Sequence, residues 1–402
     1  MKTEFKELRK QSILDTKEKR KNQTCKVFEI KFDNSHLSLE KKEYLKRLFL
    51  ETKWFYNNIL AIEDIFKFND KVKTVFVFNK NKEQEERDLK FLTAQMKQAI
   101  KDRTIGSIKS LSTKKKKGKQ KEVRGLKFKS RIDSIPLKQF GMTYRIENEK
   151  YIFIQGFKKH FKVSGLKQIP EEAEFANANL IRKASGYYIK ITCFVPKIKK
   201  IKINKNIGLD FGIKDSVITS NEDKYFFNFP ETKRIKEISR KFNTTKKEKN
   251  TKKRKVSYRQ LQIAYEKNSN KKKDCKNKFV SKLVNENDVI CIQDEQIHNW
   301  AKSKMKGFGR RIQHSIMGGI IFDLKKKSET VVIDKFFPST KLCPKCGCLN
   351  KIGLDARIYF CDCGYSQDRD IHSAKNILNE GLKLVRNVSL LNEEKIPTAK
   401  LF

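Results

Sequence analysis

Two periodicities divide this chain. Residues 25–33 (CKVFEIKFD) alternate apolar and polar positions as a strand does. From 38 to 112 the apolar spacing changes to three and four. LSLEKKEYLKRLFLETKWFYNNILAIEDIF forms one helical face with Ser38 as its N-cap, and DLKFLTAQMKQAIKDRTIGSIKSL reads as a second helix after a polar linker. Trp54, Phe55 and Tyr56 belong to the core of the first helix rather than to a stacking surface for bases. Residues 1–22 are charged, lack an apolar period and read as a flexible lead. Lys114–Lys117, continuing to Lys121, read as a basic loop within reach of phosphate. From 124 to 198 the chain breaks into short alternating runs (LKFKSR, YIFIQG, HFKVSG, ANLIRKASGYYIKITCFV), with turn signals such as Ala184-Ser185-Gly186 between them. With 25–33 these predict a small antiparallel β-barrel interrupted by a helical insertion.

A third pattern starts near 201. Residues 205–220 (KNIGLDFGIKDSVITS) read as strand, tight turn, strand. Residues 231–284 are long, helical and intensely basic; 287–298 are an apolar strand ending in acids; 310–327 read as helix and 331–336 (VVIDKF) as a further strand. Strands alternating with helices indicate an α/β domain. The predicted organisation is therefore 1–37, lead and first barrel strand; 38–123, helical domain and basic linker; 124–200, rest of the barrel; 201–340, α/β domain; 341–366, a cysteine-rich module; 367–382, the last part of the α/β domain; and 383–402, a tail.

Charge narrows the choice of partner. Lys and Arg total 92 against 47 acids, a formal net charge of +45. Such an excess repels itself in an isolated fold and points to a polyanion, since each phosphate contact releases counterions. The charge is spread along the whole chain rather than along one amphipathic helix, which argues against a membrane surface. No apolar run has the length of a membrane span, and MKTEFKELRKQ lacks the apolar core of a signal peptide. Nine cysteines, five of them in the C-terminal segment, read as cytosolic metal binding rather than a disulfide framework. Cys25, Cys193, Cys275 and Cys291 stand alone and read as structural.

The chemistry-bearing residues fall late in the chain. Cys343/Cys346 and Cys361/Cys363 are two close pairs separated by 14 residues, spaced to close a tetrahedral zinc site. Three acids stand at special places. Asp210 ends the apolar run Ile207-Gly208-Leu209, where a carboxylate costs several kcal/mol unless a cation or partner balances it. The strand Val289-Ile290-Cys291-Ile292-Gln293 delivers Asp294 and Glu295 at its carboxyl end. Strand alternation puts Gln293 and Glu295 on one face and Asp294 on the other, which favours Glu295. Asp370, with Asp368 as the alternative, precedes a helix. Its simplest role there is an N-cap. Acids from three segments suit hard, oxygen-seeking ions such as Mg²⁺. Two such ions roughly 4 Å apart cleave phosphodiesters by activating water and stabilising the leaving oxygen.

The succession IGLDFGIKDSVIT, VICIQDEQI, VVIDKFFPSTKLCPKCG and CDCGYSQDRDIHSAKNIL resembles the TnpB family of transposon-encoded RNA-guided nucleases, and their miniature type V CRISPR relatives. The match covers residues 205–380; FKSRIDS (128–134) and WFYNNIL (54–60) extend it more weakly. The resemblance implies a multidomain α/β plus α and β protein: a RuvC-like (RNase H-type) nuclease domain with an inserted zinc ribbon, a wedge-like antiparallel β-barrel and a helical recognition domain. It assigns catalytic Mg²⁺ to Asp210, Glu295 and Asp370, and structural Zn²⁺ to Cys343, Cys346, Cys361 and Cys363. It implies a guide RNA and target double-stranded DNA as partners, no membrane, and action in the bacterial cytoplasm at the nucleoid. Lys127, Lys129 and Arg131, alternating with Leu126 and Phe128, and Arg310 and Arg311 after the Gly307-Phe308-Gly309 turn, are the phosphate-binding candidates. The sequence departs from the family twice. Gln293 stands where the second acid usually follows the strand, and the second knuckle is Cys-x-Cys, which leaves Cys348 as a substitute ligand. The alternatives are a CRISPR effector with the same chemistry, an RNA-guided binder that no longer cleaves, and a DNA-strand transferase.

Overall fold

A computed structural model describes residues 2–79, 81–118, 125–197, 201–213, 216–244, 251–302, 307–353 and 356–393. The chain divides into two compact units, Met1–Lys199 and Lys200–Phe402.

The first unit opens with helix α1 (Lys2–Lys21), which corrects the expected flexible lead. Its Lys, Glu and Arg residues supply no apolar stripe, but they have high intrinsic helix propensity. The last turn is also anchored: Lys19 and Arg20 reach Glu174 at 2.6 and 2.8 Å, and the Arg20 guanidinium lies 3.6 Å from the Phe194 ring centroid. Strand β1 (Gln23–Phe32) follows. Helix α2 (Leu39–Ala61) starts at the expected cap, with the Ser38 side chain accepting from the Lys41 amide. Its inward stripe includes Phe55 and Tyr56, which are core residues, while Trp54 packs against them.

Where a polar linker is predicted, the structure forms a hairpin of β2 (Thr74–Phe78) and β3 (Gln84–Asp88). The sequence QEERD has no strand signal of its own; cross-strand pairing with TVFVF makes it one. Helix α3 (Ala94–Lys116), capped by Thr93, absorbs Lys114, Lys115 and Lys116 into its last turn, so the basic segment begins as helix. Residues 119–124 lie outside the described residues.

The barrel strands are β4 (Ser134–Leu137), β5 (Tyr144–Glu147), β6 (Tyr151–Ile154), β7 (Phe161–Ser164), β8 (Glu174–Lys183) and β9 (Gly186–Pro196). With β1 they form a seven-stranded, nearly closed sheet in the order β4-β8-β9-β1-β7-β6-β5. The strand β1 precedes the helices and β4 follows them, so the helical segment is an insertion, as the periodicity predicts. Residues 126–131 are not a strand, against expectation. Their backbone is taken by a side chain of α2: the Lys129 amide donates to Asn57 Oδ1 at 2.8 Å and Asn57 Nδ2 donates to the Lys129 carbonyl at 2.9 Å. Phe128 consequently faces solvent at 64% exposure.

The second unit is built on β10 (Asn206–Asp210), β11 (Val217–Thr219) and β12 (Lys224–Tyr225), followed by helices α4 (Lys233–Thr244) and α5 (Lys252–Glu286). Strand β13 (Val289–Gln293) leads into α6 (Ile297–Ala301), α7 (Phe308–His314) and α8 (Met317–Lys327), then strand β14 (Glu329–Ile333). The helical run predicted over 310–327 is thus two helices, broken where the Ser315 amide and hydroxyl close α7 on the Arg311 and Ile312 carbonyls. The hairpin β15 (Ile358–Phe360) and β16 (Ser366–Asp368) precedes the last helix, α9 (Arg369–Glu393). The sheet order is β12-β11-β10-β13-β14. Strands β10, β13 and β14 are parallel; β11 runs antiparallel to β10, and β12 antiparallel to β11.

Strand alternation separates the two faces of this sheet. Ile207, Leu209, Ile290 and Ile292 pack with Phe279, Leu283, Ile312, Ile320 and Leu324 from α5, α7 and α8. The intervening positions face α9, where Cys291 and Ile333 pack on Ile377. Helix α9 does not stop at a tail from 383. Its buried stripe Ile371, Ala374, Ile377 and Gly381 runs on across the sheet.

Candidate metal centres

The chain leaves β10 toward β11 on one side, while β13 lies on the other. In an open α/β sheet that reversal makes a crevice at the carboxyl ends of the strands, where ligands collect. Asp210 is the last residue of β10 and Gln293 the last of β13; Glu295 follows two residues on. By the same alternation Gly208 and Asp210 turn toward α9. Asp370 stands in the first turn of that helix.

The three predicted acids share one field. Burial first, then the negative charges of Glu295 and Asp370, pushes the Asp210 carboxyl up to about 8, against a hydrogen bond from Ser373 and the charge of Arg369. Burial and the neighbouring Asp294 raise Glu295 to about 7. Asp294 itself turns outward, 3.7 Å from Lys325 Nζ. Asp370 lies 3.5 Å from Arg369 Nε and 3.9 Å from Arg357 Nη1.

Asp368 has a different job. Its Oδ1 accepts from the Asp370 and Ile371 amides at 3.0 and 3.2 Å, and Lys224 Nζ lies 2.7 Å from Oδ2. Asp368 is the N-cap of α9, which leaves the Asp370 carboxylate outside the capping bonds. Burial would raise Asp368, but those donors together hold it below the ordinary carboxylate range.

Two carboxyls held up by burial and by neighbouring negative charge are what an oxygen-binding cation relieves. The donor chemistry therefore fits a hard divalent ion. The carboxylates are more widely spread than the thiols: among the described residues, only the four cysteines bring three or more ligand atoms all within 4.8 Å of one another.

Those thiols are Cys343, Cys346, Cys361 and Cys363, as the spacing predicts, and Cys348 is not among them. Cys343 Sγ lies 3.6 Å from Cys363 Sγ, and Cys346 Sγ 3.4 Å from Cys361 Sγ. A tetrahedral ion with bonds of about 2.3 Å sets its sulfurs about 3.8 Å apart, so the cluster needs little adjustment to take zinc. The Cys-x-Cys knuckle closes as well as the longer one. The Gly347 amide returns to the Cys343 carbonyl and the Gly364 amide to that of Cys361. Both glycines adopt positive φ, 76° and 85°, where a side chain would be strained. Cys348 instead supplies its carbonyl to the Cys343 amide. The Cys363 amide and the Asn350 side chain pull the Cys361 thiol down to about 6, which favours the ligating thiolate.

The thiol module is tied to α9. Tyr359 stacks on the buried His372 with ring centroids 3.8 Å apart. Asn376 Nδ2 donates to the carbonyls of Ser339 and Leu342, both at 2.8 Å. Burial lowers His372 to about 4, so its ring is neutral.

Composition did not single out Ser339, Ser373 or Asn376. The one available signal was position: Ser373 lies one helical turn beyond Asp370, and Ser339 lies four residues before the first thiol. Of the basic candidates, Lys127, Lys129, Arg131, Arg310 and Arg311 are all exposed. Arg131 pairs with Asp133 at 2.6 Å, and Lys129 Nζ lies 4.6 Å from the Tyr56 ring centroid. Those two are partly engaged within their own unit.

Residues 324–377 match the family described as Cas12f1-like, TNB domain. A Streptomyces pristinaespiralis protein named "Putative RNA-guided DNA endonuclease" is 29% identical over 222 residues, covering 53% of this chain and 55% of its own length. "TnpB-like protein L79" of Acanthamoeba polyphaga mimivirus is 31% identical over 231 residues, 48% of this chain and 41% of its own. The chain thus spans about half the length of the curated relatives it matches. A solved chain described as "Cryo-EM structure of the Cas12f1-sgRNA-target DNA complex" aligns over 89% of this chain and 99% of its own, with TM-score 0.48 and 13% identity. Among the described residues, no helix is long and apolar enough to cross a membrane.

Proposed function

The chain is a relative of the TnpB-like proteins, and on that premise we propose that it is an RNA-guided, Mg²⁺-dependent DNA endonuclease of RuvC type. The observation that carries this reading is the electrostatic meeting of Asp210 with Glu295 and Asp370 at the reversal point of the second sheet.

In this reading Asp210, Glu295 and Asp370 hold two divalent ions. When bound, the ions supply water activation and charge stabilisation for phosphodiester hydrolysis. The chain's own residues do the rest. Strand β10 presents Asp210 from the rigid centre of the sheet. The Asp368 cap leaves Asp370 available. Four thiolates bind a structural zinc that braces the segment entering α9. The +45 charge, with Lys127, Lys129, Arg131, Arg310 and Arg311 as candidate contacts, accommodates guide RNA and target DNA through their phosphates.

The test uses the full chain purified with its co-purifying RNA. That RNA is sequenced, a matched duplex is supplied with Mg²⁺, and wild type is compared with Asp210→Ala. Cleavage by wild type and none by the variant supports the reading. Equal cleavage by both removes the assigned site. RNA-programmed binding with no nicking in Mg²⁺ or Mn²⁺ makes the protein a binder rather than a nuclease.

A further inference from the structure

Gln293 stands where the resemblance to TnpB proteins leads one to expect the second acid. Its surroundings show what it does instead. It is 8% exposed, and its amide nitrogen faces three main-chain carbonyls, those of Asp334, Lys335 and Phe337, at 3.2, 3.3 and 2.8 Å. These carbonyls belong to the strap between β14 and the first thiol. The Gln293 Oε1 accepts from the Ser339 hydroxyl at 3.0 Å. The Ser373 hydroxyl donates in turn to Ser339 Oγ at 3.0 Å, and Ser373 stands on α9 three residues beyond Asp370. Ser339 and Ser373 are both buried.

We propose that Gln293, Ser339 and Ser373 form a positioning relay that locks the strap 334–339 onto β13 and onto the first turns of α9, and so fixes where that helix presents Asp370 for divalent-ion binding. Gln293 is not a lost acid in this arrangement. A carboxylate at 293 would place an oxygen, which donates nothing, against three carbonyl oxygens that now receive N–H groups. An amide serves both, donating to the strap and accepting from Ser339, where an ionised carboxylate can only accept. Glu295, two residues past the end of β13, is one of the charges that raise Asp210.

The inference rests on the proposed metal site, and its test needs neither guide nor substrate. Mn²⁺ alone is titrated into the purified full chain, with bound ion read by electron paramagnetic resonance and folding checked by thermal unfolding. Ser339→Ala and Gln293→Glu are each expected to weaken the Asp210-dependent Mn²⁺ binding by about tenfold, the usual consequence of removing a partner that orients a ligand, while zinc content is unchanged. Ser339→Ala/Ser373→Ala is expected to lose little more than the worse single variant, because both act along one path. Ser339→Ala removes only one oxygen and keeps the test open if Gln293→Glu fails to fold. Asp210-dependent Mn²⁺ binding that is indifferent to Ser339→Ala, or additive losses, would overturn the relay alone. Mn²⁺ binding that is equal in wild type and Asp210→Ala would overturn the metal site and the relay with it. Rescue of Glu295→Ala by adding Gln293→Glu would return position 293 to the acids and also overturn the proposal.

Discussion

Gly208 and Ala374 meet backbone to backbone: a Cβ on Gly208 would lie 2.2 Å from the Ala374 carbonyl oxygen and 2.8 Å from the Leu378 main-chain nitrogen. Neither atom belongs to a flexible side chain that can move away. This contact seats α9 on β10 and so brings Asp370 and Ser373 to Asp210. Gly208→Ala is expected to lower stability by about 1–3 kcal/mol, the usual cost of overpacking, and to weaken divalent binding by separating the two elements. Urea unfolding and a Mn²⁺ titration of the same variant check both effects. An alanine here that leaves stability and metal binding unchanged would show that α9 is not held by this approach.

Asp210→Asn should act in opposite directions on stability and function. Burial and two carboxylate neighbours hold Asp210 at about 8, so its ionised form is strained when no cation is present. An amide of the same shape removes that repulsion. In EDTA at pH 8 the variant is expected to be more stable than wild type by the order of 1–2 kcal/mol, and to lose stabilisation by Mg²⁺. Thermal unfolding with and without Mg²⁺ measures both.

The same shifts set a pH dependence. The folded values of about 8 for Asp210 and about 7 for Glu295 lie above the ordinary carboxylate values near 4. Between about pH 4 and 8 the folded state therefore holds more protons than the unfolded chain, and metal-free stability from these groups falls as pH rises. Divalent binding must displace those protons and strengthens over the upper part of that window. The difference in unfolding free energy between wild type and Asp210→Asn, followed in EDTA from pH 5 to 8, isolates Asp210 from other titrating groups. It is expected to widen steadily with pH, and a flat difference would contradict the buried, repelled carboxyl.

Zinc removal should act locally. The chain is expected to carry about one zinc ion, and Cys343→Ser to lose it, with melting of the β15–β16 module and loosened contact to His372 and Asn376. Cys348→Ser is expected to keep the metal, since its role in the knuckle is a carbonyl that any residue supplies. Elemental analysis of the two variants separates these outcomes.

What the sequence made legible follows from how local each signal is. Strands β10 and β13 were readable because a short apolar run ending in an acid needs no knowledge of partners; Glu295 lies past the end of β13, where its amide turns back to the Gln293 carbonyl, so strand parity does not place it. The thiol pairs were readable because ligand spacing is local too. Strand β3 was not, because QEERD becomes a strand only by pairing with β2. Helix α1 was misread because it lacks the apolar stripe that marks most helices. LKFKSR alternates like a strand, yet Asn57 of α2 takes its backbone bonds. The relay from Gln293 through Ser339 to Ser373 joins residues from three segments, and ordinary polar side chains give no sign of that in sequence.

Asp368 and Asp370 are two residues apart, and substitution should separate them. Asp368 bonds the first amides of α9 and pairs with Lys224, so Asp368→Ala is expected to lower stability by about 1 kcal/mol, the typical cost of losing an N-cap. It should leave Asp210-dependent Mn²⁺ binding in place, though weakened in proportion to fraying of the first turn. Asp370→Ala removes one of the charges that raise Asp210 and spares the cap. Metal-free stability should therefore hold or rise slightly while divalent binding and cleavage are lost. Asp368→Asn sharpens the comparison, because an amide oxygen still caps a helix and should restore most of the lost stability. If Asp368→Asn abolishes metal binding while Asp370→Asn keeps it, the third acid is Asp368, and the division of labour between cap and ligand is the reverse of the one described.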